Sequence, residues 1–438
     1  MTNIVSANLD EFTPFTGNLS LGTERVDLQF KLRFAKSGEI EFQFEDLPHN
    51  DRTKFLLKER SNRTSKPLDF SLHATAEDGS SFATDCLTLH ANLNWVGSRK
   101  LTLEGDCGEA RIVRPQSATD LPHLVMKIRG FANLGLLFAD CDLGHVTMNG
   151  ERIEKNDDLN RINGFISLQA TSMPDDLMVW RSHSEQLLDH IRKVMSLASA
   201  TMLKAPIRFF VHDGKWEIHA MSQTQQQSAS LRVVRHVEQE EIFSTAVRTF
   251  FKPAIAAKNI PFAIEWFTMD VTYNEMRLMS AMTALENLLN SNLSNADKHY
   301  SSAFKKITRE TRQFVIECMA RLAAGGSVPD PDTLSAKLND LNRKPLIDKI
   351  YLLAKHWSVP IEDIDKEKIS DAISARNAIV HRGEYYGNKE VSDGLTDLWD
   401  HAMLIRELVV RFILTSYGYV GPYCTFVGGF RDMKFPPR

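Results

Sequence analysis

The chain has 438 residues, with 52 Lys and Arg against 56 Asp and Glu and a formal net charge of −4. So slight an acidic balance supplies no global attraction to nucleic acid or to an anionic membrane, and any such contact must use a local patch. The 43% hydrophobic content is ordinary for a globular chain, the length suits two or three domains, and no run of about 18 apolar residues is present to span a membrane.

Met1-Thr2-Asn3-Ile4-Val5 has neither a basic nor an apolar leader segment, so no secretion signal is expected. Cys86, Cys107, Cys141, Cys318 and Cys424 are odd in number, scattered, and form no Cys-x-x-Cys. Such a set predicts free thiols in a reducing cytoplasm rather than a disulfide framework or a structural zinc site.

From residue 24 to about 170 the pattern is that of strands. Val26–Phe34 alternates apolar and polar positions, Ser37-Gly38 turns the chain, and Ile40–Phe44 alternates again, which predicts a hairpin. Further alternating runs lie at Leu68–Thr75, Cys86–Asn94, Lys100–Leu103, Leu124–Ile128 and Phe165–Ala170, punctuated by Asp78-Gly79, Gly97-Ser98, Gly105-Asp106 and Asn149-Gly150. A helix is expected from Asp175 or Asp176 to about Thr201; His183 and His190 lie on it, two turns apart. Ile207–Val211 and Trp216–His219, joined by Asp213-Gly214, predict another hairpin. No Gly-rich phosphate loop, His-Glu-x-x-His or Gly-x-Ser-x-Gly is present, so the common nucleotide, zinc-protease and hydrolase signatures are missing.

The polar, aperiodic stretch Gln223–Ser230 reads as a linker. After it the periodicity becomes helical. Segments are expected at Glu238–Phe251, Thr272–Leu293, Ala303–Ala323, Leu334–Leu341, Pro345–His356, Asp365–Val380 and Asp393–Tyr417. In the second of these Met276, Leu278, Met279, Met282, Leu285, Leu288 and Leu289 form an apolar stripe. The tail from Gly418, rich in Gly, Pro and aromatics, reads as irregular. The fold class is therefore α+β. Residues 1–230 are expected to form a β-rich, antiparallel sandwich or barrel-like module with a helix near 176–201, and 236–438 an all-α bundle.

Chemistry concentrates in Ser374-Ala375-Arg376-Asn377-Ala378-Ile379-Val380-His381-Arg382-Gly383. Arginine is a fixed cation whose fork matches a phosphate. Histidine moves protons near neutral pH, and asparagine orients a hydroxyl or a phosphate oxygen. The set suits attack of a ribose 2′-hydroxyl on the adjacent phosphate, with Arg376 stabilising the developing charge. On a regular helix Arg376 and His381 stand roughly 140° apart, whereas Asn377 and His381 share a face. The helix must therefore break, or the pair must meet through a partner chain. Gly383 offers a break.

This Arg-Asn-x-aliphatic-Val-His segment near the end of a helical domain resembles the HEPN family (higher eukaryotes and prokaryotes nucleotide-binding domain). Arg277–Leu289, with Ala284-Leu285-Glu286, resembles that family's first core helix. The likeness covers about residues 240–417, and with its β-rich front half the whole chain looks like the ApeA-type HEPN proteins of bacterial abortive-infection systems.

The resemblance implies a toxic, metal-independent endoribonuclease with no cofactor, acting on RNA, tRNA included. Arg376, Asn377 and His381 would be its catalytic residues. The site would form between two HEPN domains of a homodimer or higher homo-oligomer, and the N-terminal module would sense a phage-derived trigger or restrain activity. Two HEPN copies facing across a two-fold axis would also resolve the 140° separation. The alternative is a non-catalytic HEPN-like dimerisation or ligand-binding protein. Glu286 either faces the same cleft or faces solvent. Lys305, Lys306, Arg309 and Arg312, with Arg343 and Lys344, either meet phosphates or form a solvated face. Tyr385 and Tyr386 either stack a base or pack the domain edge.

Overall fold

Strand periodicity in the front half translates into one sheet. A computed structural model describes residues 11–57, 69–94, 99–115, 121–154, 157–225, 231–293, 344–383 and 397–437, the backbone of 391–396, and a few positions at 310–318 and 385. By contact the chain divides into two compact units, Met1–Phe251 and Lys252–Arg438.

The first unit begins with β1 (Thr13–Leu21), β2 (Glu24–Phe34), β3 (Ile40–Phe44), β4 (Leu47–Pro48), β5 (Asp69–Thr75), β6 (Ser81–Asn94), β7 (Lys100–Cys107) and β8 (Glu109–Pro115). It continues with β9 (His123–Arg129), β10 (Leu137–Cys141), β11 (Gly144–Gly150), β12 (Gly164–Gln169), helix α1 (Leu177–Ser199), β13 (Lys204–His212), β14 (Lys215–Met221) and α2 (Glu240–Phe251). All 14 strands join one sheet, ordered β10-β11-β12-β9-β13-β14-β8-β6-β5-β1-β2-β3, with β7 against β6 and β4. Every pairing is antiparallel.

The long strand β6 is where the sheet branches. Its first residues pair with β8, and the stretch Leu87–Asn94 pairs with β7. One continuous core gathers Phe15, Phe30, Phe70 and Phe82 with Val125, Ile207, Phe209 and Trp216, so strands distant in the sheet order bury their apolar faces together. A seam closes the curve. Arg129 at the end of β9 is fully buried, and its Nε donates to the Ser37 carbonyl in the β2–β3 turn at 2.7 Å.

The opposite face of the sheet carries α1. Asp176 is its N-cap and accepts from the amides of Met178 and Val179, and Ala200 closes it in a left-handed conformation. Trp180 stacks on Phe210, with centroids 6.4 Å apart, and donates to the Leu143 carbonyl at 2.9 Å. Helix α2 packs on α1 and β10. The unit therefore extends past the polar stretch 223–230 and ends after a helix expected to belong to the second half.

The second unit contains α3 (Ile260–Phe267), α4 (Asn274–Leu293), α5 (Leu346–Trp357), α6 (Lys366–Arg382) and α7 (Val391–Ser416), then a hairpin of β15 (Gly421–Thr425) and β16 (Arg431–Phe435). Helix α7 is its axis: Leu398, Ile405, Leu408, Val409, Phe412 and Ile413 are completely buried. Burial on so many sides marks a core helix. On α4 the buried stripe runs through Leu278, Met282, Leu285 and Leu289, but Met276 is 51% exposed. It stands two residues from Leu278, about 200° round the helix.

The hairpin departs from the irregular tail expected there. Pro422 and the Gly428-Gly429 loop hid it, because Pro is a poor strand signal and the strands are short. Tyr423 ties it down, donating to Glu407 at 3.0 Å. Glu407 also receives Arg411 Nε at 2.7 Å, and Arg411 reaches Asp363 and the Pro360 carbonyl ahead of α6. Residues expected as helices at 303–323 and 334–341 lie almost wholly outside the described residues.

Candidate active site on helix α6

Helix α6 forms because its apolar positions, Ile369, Ala372 and Ala375, recur on one face and are buried. Asp365 caps its start, accepting the Glu367 amide at 2.8 Å. Gly383 closes it with φ 76°, donating its N–H to Ile379 at 3.0 Å. That left-handed conformation is the one glycine adopts without cost.

The helix does not break between Arg376 and His381; it stops just after them, at Gly383. The two side chains therefore leave one protomer's helix roughly 140° apart. Nor is the segment buried as a whole. Ala375 is buried and Arg376, Ala378 and Ile379 are half-buried, while Asn377, Val380, His381 and Arg382 are exposed.

Arg376 is the organised member. Its Nη2 stands 3.0 Å from Glu286 Oε1 on α4, and its Nη1 donates to Asn377 Oδ1 at 3.1 Å. Its Nε is buried without a hydrogen-bond partner. The fold thus gathers Arg376, Asn377 and Glu286, and leaves His381 exposed in the last turn. Of the two orientations open to Glu286, the one facing the motif is realised.

Tyr385, two residues past the cap, places its hydroxyl 3.3 Å from His401 Nε2 on α7, with the rings edge-on. It packs the end of the motif against α7. His401 carried no sequence signal, since a lone histidine inside an apolar helix has no spacing partner. Lys305, Lys306, Arg309, Arg312, Arg343 and Tyr386 lie outside the described residues. Among the described residues no three His, Cys, Asp or Glu side chains converge as a metal site would need, and no helix is long and apolar enough to cross a membrane.

The first unit carries a separate small pocket on one sheet face, of about 80 Å³, lined by His123, Val125, Leu136, His145, Thr147, Phe165, Ser167 and Gln169. Register explains it: Gln169 pairs with His123 on one side and His145 on the other, so three polar side chains form a row across three strands. Burial holds His123 neutral, with its pKa lowered to about 4. On α1, His183 is exposed and His190 half-buried, the latter with its ring 5.8 Å from Phe250.

A scan against protein-family models found no match, and searches of curated proteins and of solved structures found no significant one.

Proposed function

We propose that the chain is an endoribonuclease of the HEPN type, an effector of antiviral abortive infection whose working site is built from two copies of α6. The observation that carries this reading is the Glu286–Arg376–Asn377 constellation beside an exposed His381 at a glycine-capped helix end. Glu286 fixes the guanidinium, which supplies preorganised positive charge for a phosphoryl centre. His381 sits where a base can reach substrate.

In the proposed reaction the ribose 2′-oxygen attacks the adjacent phosphorus. His381 takes the 2′-hydroxyl proton, Arg376 stabilises the charge on the non-bridging oxygens, and the 5′-oxygen leaves, taking a proton from solvent. The products are a 2′,3′-cyclic phosphate and a 5′-hydroxyl. The angle between Arg376 and His381 on one helix favours a site completed across a two-fold axis. The first unit is the module that would sense infection or restrain the nuclease.

A second reading has one observation in its favour. Arg376 already hydrogen-bonds within its own protomer, to Glu286 and Asn377, as a purely structural arginine in a non-catalytic dimerisation or ligand-binding domain would. RNA cleavage in the presence of EDTA separates the two. The native chain should generate 2′,3′-cyclic ends, and Arg376→Ala and His381→Ala should each slow cleavage by about 10²-fold or more. Equal cleavage by all three chains, or products with other ends, would overturn the catalytic reading.

A further inference from the structure

We infer that the pocket on strands β9, β12 and β11 of the first unit binds a small, uncharged, planar ring compound with an amide or imide edge, the chemistry of a free pyrimidine base. The inference stands apart from the ribonuclease reading, because binding here requires no cleavage by the second unit.

The pocket lies where an apolar sheet face turns polar. On β9, Val125 belongs to the core of the unit, and His123, two residues before it, stands on the same side of the sheet. Register carries that side across the neighbouring strands. Val125, Ser167 and Thr147 form one row, and His123, Gln169 and His145 form the next. Five positions on the core side of three adjacent strands are thus polar, where apolar side chains would have sealed the core. Thr147 and Ser167 are only 7% and 5% exposed. Their hydroxyls lie 2.6 Å apart, so one hydroxyl proton is used between them and the other is left to donate. His123 Nδ1 is buried with no hydrogen-bond partner among the described residues. No neighbour then fixes the tautomer, and the ring can offer its other nitrogen as donor or as acceptor.

Charge, shape and size select the occupant. No Lys, Arg, Asp or Glu lines the pocket, and burial keeps His123 neutral, so nothing in the lining balances a phosphate or a carboxylate. Asp140, outside the lining, hydrogen-bonds His145 Nδ1 and restrains that ring. Val125, Leu136 and the Phe165 ring supply apolar walls, which suit the faces of a flat ring. An alkyl chain would meet those walls and leave Gln169, Ser167 and His123 unpaired. A ring with N–H and C=O side by side meets Gln169 in two hydrogen bonds, because a primary amide presents one donor and one acceptor at matching spacing. The volume is about 80 Å³, well below the ~150 Å³ of an engineered cavity that encloses benzene. The pocket therefore seats one ring, edge first, and not a fused pair.

The test is a ligand-observed NMR titration of the full chain near neutral pH with uracil, 1,3-dimethyluracil and orotate. Uracil should bind with a Kd of about 1 mM or tighter. The dimethyl derivative keeps the ring and loses both N–H donors, and orotate adds a carboxylate; each should bind about tenfold more weakly. Gln169→Leu keeps much of the side chain's bulk, removes its amide edge, and should weaken uracil by a similar factor. Leu136 is 54% exposed, so Leu136→Ala leaves the fold intact and should weaken uracil about threefold by removing a wall; it decides the location should Gln169→Leu fail to fold. No uracil binding, equal binding of uracil and its dimethyl derivative, tighter binding of orotate, or unchanged affinity in the folded variants would each overturn the inference. None of these outcomes bears on the nuclease reading.

Discussion

Glu286 and Arg376, 90 residues apart in the sequence, meet in a 3.0 Å ion pair between α4 and α6. Both side chains keep about a quarter to a third of their surface exposed, 26% for Arg376 and 30% for Glu286. At that exposure the pair contributes only about 0.5 kcal/mol to stability. Its value in the proposed site is orientation.

Glu286→Gln should therefore leave the denaturation midpoint nearly unchanged while lowering RNA cleavage about tenfold or more. The gel assay for cyclic ends and a urea titration measure the two effects independently. A large stability loss with cleavage kept would mark the pair as structural and remove Glu286 from the site.

Gly383 closes α6 in a left-handed conformation, and a Cβ there would meet nothing within 4 Å. The cost of Gly383→Ala is then purely conformational, about 1 kcal/mol. Urea unfolding of the variant should show that loss; none at all would mean that the cap does not hold the motif's end.

Arg411 lies between Glu407 and Asp363, and its side chain is 3% exposed. Arg411→Met strands the buried Glu407 carboxylate and should destabilise the unit by about 3–5 kcal/mol. Pairing it with Glu407→Leu should recover much of that loss. Arg411 also holds the Asp363 pKa below its ordinary value. A carboxylate depressed in the fold stabilises above its unfolded pKa and loses that contribution as pH falls through the folded one. Asp363→Asn should thus flatten the stability curve below about pH 4.

His190 behaves in the opposite charge state. Burial lowers its pKa to about 4 from the ordinary 6.5, so it is neutral in the fold while the unfolded chain takes up a proton between those values. Stability of the first unit should fall as pH drops from about 6.5 towards 4, by roughly 1–2 kcal/mol from this residue after allowance for its partial exposure. His190→Gln should remove that share of the slope in pH-dependent unfolding.

Much of the fold was legible where local signals agree. The Val26–Phe34 alternation falls within β2, the acidic residues before Leu177 include the cap of α1, and the glycine after Arg382 is the cap of α6. Strand β1 escaped notice because Pro14 and Gly17 interrupt its alternation, and β15–β16 for a similar reason. The place of α2 was invisible too: its amphipathic pattern shows that it packs on something, not on what. Within the candidate site, Arg376, Asn377 and His381 were readable from spacing. The partnership with Glu286 was readable only as one of two orientations, since a glutamate on an amphipathic helix looks the same facing a cleft or solvent.

The seam of the first unit has a kinetic side. The buried guanidinium of Arg129 donates to a turn carbonyl 92 positions away in the sequence. Contacts of such separation reward the chain only after a long loop has been closed, whereas hairpins such as β1–β2 and β13–β14 pair neighbouring segments. The Arg129–Ser37 seam is therefore expected to close after those hairpins have formed. The helical unit carries a tie of similar span, since Glu286 and Arg376 are 90 residues apart, and its helices can form from neighbours before that tie closes.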